Sequence, residues 1–146
     1  MSESARAAVL AAARSWLATP FHHAAQLKGV GVDCVHLIEA AYREAGVIEG
    51  VEIEAYSPQI MLHRGEETVI PYLLRYGREI PESEARAGDV VLYKVGRSFS
   101  HAAIIVDWPT RIIHAHSKSG KVVEMAGNVA DLDGRATRFF TPFREA

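Results

Sequence analysis

The spacing of apolar residues changes period partway along this chain, and no other feature constrains the fold as strongly. Before about residue 77 the spacing is helical. Ala7, Leu10, Ala11, Arg14 and Leu17 share one face of a helix predicted over residues 3–17, with Ser2 or Ser4 as its cap and Thr19-Pro20 as its end. A loop rich in His and Gly follows over 20–33. Cys34, Ile38, Ala41, Tyr42 and Ala45 then mark a second helix, which Asp33 can cap and Gly46 stop. Residues 47–64 are irregular, with Pro58 as a turn, and 65–77 carry a third helical pattern that Pro71 is expected to disturb. From residue 90 the period shortens to that of strands. The runs 90–93, 102–106, 111–116, 121–125 and 137–143 are short and β-rich, and turn-forming residues separate them. Helices first and an antiparallel meander second predict an α+β fold, with the N-terminal helices packed on one face of a C-terminal antiparallel sheet.

The chain has 146 residues, enough for one domain with its own core, and no linker or repeat divides it, so residues 1–146 are expected to form a single domain. A net charge of −2 leaves no footprint for nucleic acid, and no apolar run approaches the roughly 20 residues of a membrane span. The polar N-terminus does not read as a signal peptide, so synthesis in the cytoplasm is expected. A single cysteine excludes an internal disulfide and the Cys-rich zinc and iron–sulfur patterns.

That cysteine, Cys34, stands in the first turn of the second predicted helix. A lone cysteine is more often a small buried hydrophobe than a nucleophile. At a helix start, however, free N–H groups and the macrodipole favour the thiolate, the form that attacks carbonyl carbon. Nucleophilic catalysis then needs a base and a group that orients it. His101 opens one predicted strand and His114 lies on the next. If residues 107–110 form the hairpin connection, the two are near-opposite neighbours across an antiparallel pair. His116 shares a face with His114 and competes for the third position. The same three histidines also suggest a rival metal site through the His-x-His spacing. His22, His23, His36 and His63 default to structural or surface roles. The strip Phe139-Phe140-Thr141-Pro142-Phe143 reads as core, as an edge strand, with an exposed docking strip as the other reading.

Five short blocks carry a resemblance. Thr19-Pro20-Phe21, Val32-Asp33-Cys34, Ala87-Gly88-Asp89-Val90-Val91, Ser100-His101-Ala102-Ala103-Ile104 and Ile112-Ile113-His114-Ala115 resemble, in order, the blocks of the NlpC/P60 cysteine peptidases, papain-like enzymes that cut peptidoglycan stem peptides. The segment Leu27-Lys28-Gly29-Val30-Gly31 resembles the branch found in tailed phages and gene-transfer-agent particles. The resemblance implies Cys34 as nucleophile, His101 as base and His114 as orienting residue, with no cofactor or metal. It implies cleavage of the γ-D-glutamyl–diamino acid bond, with Phe21, His23, Asp33 and Ser100 against the substrate. The implied partners are a peptidoglycan peptide and other particle proteins, and the implied place of action is the periplasm of a target cell, reached from a virion or phage-like particle. The chain departs from the family pattern at Phe21, where Tyr is usual, and at Val35 and His36, where Ser and Gly are usual. Its turn between the histidine strands is one residue longer, through Trp108-Pro109. These departures bear on substrate choice, and they sustain a second expectation, a non-catalytic binding or structural protein of the same fold. A thiol acyltransferase or deamidating enzyme would share the same three residues.

Overall fold

A computed structural model describes residues 2–54 and 69–144. Pro58 and His63 lie outside the described residues. Helix α1 spans Ser2–Arg14. A two-stranded hairpin, β1 (Gln26–Leu27) and β2 (Gly31–Val32), leads into α2 (Cys34–Glu44). Helix α3 (Ile70–Tyr76) precedes β3 (Arg78–Ile80). Four strands follow in a meander: β4 (Val90–Val95), β5 (Ser98–Asp107), β6 (Arg111–His116) and β7 (Lys121–Met125). The last strand, β8 (Thr137–Thr141), does not extend the meander. It returns to pair with β4 and β3, so the six-stranded sheet runs β3-β8-β4-β5-β6-β7, antiparallel throughout. The aromatic strip therefore lies inside the sheet rather than at its edge, with Phe139, Phe140 and Phe143 buried.

The α+β expectation holds, and the departures from it have physical causes. The buried face of α1 is Arg6, Val9, Ala13 and then Trp16 beyond its end; Ala7, Ala11, Arg14 and Leu17 are exposed. The pattern misleads because a charged residue occupies a core position. Arg6 donates from one Nη1 to the Ala87 carbonyl at 2.8 Å and to Asp89 Oδ1 at 3.0 Å, and its guanidinium lies 4.4 Å from the Phe143 ring centre. The helix also stops at Arg14, short of Thr19-Pro20. Turn bonds from Trp16 and Leu17 follow, and Ala18 takes a positive φ of 70°. Pro71 does not break α3, since it sits in the first turn, where its missing N–H has no partner to lose. Strand β3 goes beyond the sequence expectation, because its three residues are too few to show a period.

Alternation divides the sheet into two faces. Val90, Leu92, Ala102, Ile104, Ile113 and Ala115 pack with α1 and α2. Val91, Tyr93, Ala103, Ile105 and Ile112 form a second core, closed by Leu132, Trp108 and Phe139. No helix among the described residues is long and apolar enough to cross a membrane.

Candidate active site

The site begins at the first residue of α2. Asp33 caps the helix: Oδ1 accepts from the His36 amide at 3.0 Å and contacts His36 Nδ1 at 2.7 Å, while Oδ2 accepts from the Ala24 amide at 2.7 Å. One carboxylate thus fixes both the helix start and the loop before it. Cys34 is left 5% exposed, with Sγ 3.8 Å from the Ser100 carbonyl of β5. Strand β5 carries a bulge here: Tyr93 pairs with His101 but Lys94 pairs with Phe99, so Ser100 is the extra residue of the β4–β5 register. Bulges of this kind re-aim neighbouring side chains. Phe99 and Ala102, three residues apart, consequently both join the helix-side core.

His101 is the fourth residue of β5, not its opening residue, because the hairpin turn is tighter than the predicted 94–100 loop. The pairing with β6 also differs from expectation. The ladder runs Ile104↔Ile113 and Ile105↔Ile112. Extended, this register sets His101 level with His116 and diagonal to His114, a separation that two imidazoles can span. They do so: His101 Nε2 lies 2.7 Å from His114 Nδ1. His116, the competitor for that place, is committed elsewhere. Its Nε2 lies 2.8 Å from Asp131 Oδ1 and its Nδ1 2.6 Å from Ser119 Oγ. A cleft of about 380 Å³ is lined by Cys34 and His101 together with Phe21, His23, Asp33, Ser100 and His116, and by Lys118, Asp131 and Arg135. The expected residues therefore meet in one cleft, with His114 buried directly behind His101. Val35 turns away from it, toward an apolar recess shared with Ile38 and Tyr42.

The electrostatics contradict one expectation, that the helix start holds Cys34 as thiolate. Burial, and then the Asp33 carboxylate, push the thiol up to about 12, against the backbone N–H groups of Ala102, Val35 and Cys34. Burial and the charge of His116 hold His101 down to about 4, and burial with the neighbouring histidines holds His114 to about 2. The resting pair is therefore thiol and neutral imidazole. A metal reading finds no support in the geometry. His101 Nε2 and His114 Nδ1 bond each other, both nitrogens of His116 are taken by Ser119 and Asp131, and among the described residues no group of three His, Cys, Asp or Glu side chains is disposed to hold an ion.

Sequence reasoning missed Asp131 and Ser119, since 127–134 and 117–120 read only as turns. The one available signal was His116 itself, a histidine on an inward face that needed partners.

The fold recurs in solved structures. RipB of Mycobacterium tuberculosis, a peptidoglycan hydrolase, superposes with a TM-score of 0.69 at 20% identity, over 99% of this chain and 67% of that chain. The P60 domain of antigen MAP1204 from M. avium subspecies paratuberculosis superposes with a TM-score of 0.63 at 21% identity, over 98% of each chain. RipD of M. tuberculosis, a non-catalytic NlpC/p60 domain protein adapted to peptidoglycan binding, gives 0.58 at 18% identity, over 94% of this chain and 96% of that one. No curated protein matches the chain in sequence. At such identities these structures show a common fold. The sequence profile of the NlpC/P60 family matches residues 18–136, and the chain belongs to that family.

Proposed function

We propose that the chain is a thiol peptidase that hydrolyses the γ-D-glutamyl–diamino acid bond of peptidoglycan stem peptides. The observation that carries the reading is the 2.7 Å bond between His101 Nε2 and His114 Nδ1 beside the cleft that holds Cys34. Because His101 Nε2 is engaged, Nδ1 is the nitrogen left to accept the thiol proton. For that, Nε2 must carry the other hydrogen and donate it to His114, which sets the tautomer of both rings. Proton transfer accompanies attack, as general-base catalysis, since neither group is charged at rest. The thiolate sulfur bonds to the carbonyl carbon, and the amide N–H of Cys34 at the helix start faces the developing oxyanion. His101 then protonates the leaving amine, and water releases the acyl group from the thioester. Phe21, His23, Asp33 and Ser100 line the cleft as substrate-contacting residues. Phe21 has no hydroxyl to assist the oxyanion.

The proposed setting is a phage or phage-like tail, with delivery to the periplasm of a target cell. Beyond the resemblance at residues 27–31, its support is the β1–β2 hairpin, whose tip exposes Leu27 and Val30 to 61% and 64%. An exposed apolar pair of this kind fits docking to a neighbouring particle protein.

One observation favours a second reading, a peptide-binding protein without hydrolysis: the sulfur is buried, and its thiol is pushed up to about 12. Incubation of the protein with purified muropeptides separates the two. Product with a free diamino acid terminus that disappears in Cys34→Ala supports hydrolysis; retained peptide with no product supports binding.

A further inference from the structure

We propose that Arg135, together with Lys118, forms a subsite for a carboxylate of the bound peptide, on the wall of the cleft built by the β6–β7 turn and the β7–β8 loop. The inference rests on the cleft being a site for peptidoglycan stem peptides, and it names residues that choose among them. Arg135 lines the cleft with Cys34 and His101. Two main-chain carbonyls fix its side chain: Nε donates to the Asp131 oxygen at 2.6 Å, and Nη1 donates to the Lys94 oxygen, near the end of β4, at 3.0 Å. A guanidinium has five N–H donors, so three remain for a ligand, in a plane the protein already holds. A fork fixed in this way loses little side-chain freedom on binding.

The carboxylates of the cleft do not neutralise it. Asp33 accepts from the His36 and Ala24 amides. Asp131 turns Oδ1 to His116 Nε2 at 2.8 Å and offers Arg135 only its main-chain oxygen. Other surface arginines are matched with acids: Arg14 with Glu124, Arg86 with Glu3 and Arg138 with Glu79. Arg135 instead keeps its whole charge for the cleft. Lys118 lines the same cleft from the β6–β7 turn, exposed and in no ion pair with a described residue. Two cations, one of them held in a fixed plane, suit a carboxylate, which a guanidinium can grip through two parallel bonds. A stem peptide carries such groups on both sides of the bond. D-Glutamate linked through its side chain keeps its α-carboxylate, and diaminopimelate has a side-chain carboxylate that lysine lacks.

The test is the affinity of the Cys34→Ala protein for three stem tetrapeptides, measured by calorimetry, each with its C-terminal carboxylate amidated. One contains D-glutamate and diaminopimelate, one has isoglutamine in place of the glutamate, and one has lysine in place of the diaminopimelate. The comparison requires no hydrolysis, so it holds for a peptidase and for a peptide-binding protein alike. Arg135→Gln is expected to weaken the first peptide about tenfold, the loss of one charge-assisted contact at a partly exposed site. The peptide without the bound carboxylate should change by less than about twofold, and so identifies which carboxylate it is. Arg135→Lys keeps the charge but not the fork and should lose about threefold. Equal weakening of all three peptides by Arg135→Gln overturns the inference, because a loop merely loosened from Lys94 would not tell them apart. Unchanged affinities overturn it as well. If Arg135→Gln fails to fold, Lys118→Gln carries the same comparison, and unchanged discrimination by that variant overturns the inference. No binding of any peptide by the protein with Arg135 intact would instead fail the stem-peptide reading itself, and the subsite with it.

Discussion

Acid should unfold this protein through its histidine pair, and the size of the effect follows from their burial. Folding holds His101 down to about 4 and His114 to about 2, desolvation being the main cause in each. Released on unfolding, both return to about 6.5. Their pKa values are depressed in the folded state, so the stability they confer is complete above about pH 6.5 and is lost as pH falls, through about 4 for His101 and lower still for His114. Near pH 5 unfolding takes up almost two protons, a slope of about 2–3 kcal/mol per pH unit. Integrated from neutral pH, each ring accounts for about 2 kcal/mol at pH 5, or roughly 4 for the pair. For a domain of this size that lowers the melting temperature by on the order of 10 °C. Glu79, Glu124 and Asp131 are held below the usual carboxylate range, so their loss comes at lower pH. Asp89 is raised by burial and acts with the opposite sign. The assay is a series of thermal melts from about pH 8 to 5, for wild type and His114→Asn. Asparagine keeps an acceptor for His101 and takes no proton, so about half of the slope should vanish. Coincident melts across the range, or an undiminished slope in His114→Asn, would refute the neutral buried pair.

Three further perturbations follow. Asp33→Asn removes a like charge roughly 6 Å from the sulfur, worth on the order of one to two pKa units, so alkylation at fixed neutral pH should quicken about tenfold; an unchanged rate would show that Cys34 does not feel that carboxylate. Arg6→Ala leaves Asp89 buried without its ion pair and should cost about 3–5 kcal/mol, read as a urea midpoint shift at constant m-value; a loss under about 1 kcal/mol would mean that Arg86 and Thr141 suffice for Asp89. Leu27→Asp combined with Val30→Asp changes only exposed hairpin residues, so the melting temperature should move by no more than about 2 °C while incorporation into particles is lost; unchanged incorporation would remove the hairpin from the docking account.

What the sequence could reveal depended on whether a residue's role showed in its spacing. Helix α2 was legible in full: Asp33 as cap, Cys34 in the first turn and Gly46 as stop are local signals. The strands of the meander were legible for the same reason. The buried face of α1 was not, because Arg6 is a core residue only in company with Asp89 and Phe143, both more than 80 residues away. Nor was the place of β8, since strand order depends on contacts that no local pattern encodes. At the site, Cys34, His101 and His114 could be named, but the geometry joining the histidines could not. A bulge at Ser100 and a shifted register replaced the direct cross-strand pair with a diagonal one. The charge state was missed as well. The helix start argues for thiolate, and only burial and the nearness of Asp33 reverse it.

The most direct test of the account is mass-spectrometric analysis of purified muropeptides treated with wild type, Cys34→Ala and His101→Ala, each shown to be folded by its melt. The account predicts cleavage between D-glutamate and the diamino acid by wild type and none by either variant. Intact peptides in every sample, or equal cleavage by Cys34→Ala, would contradict it.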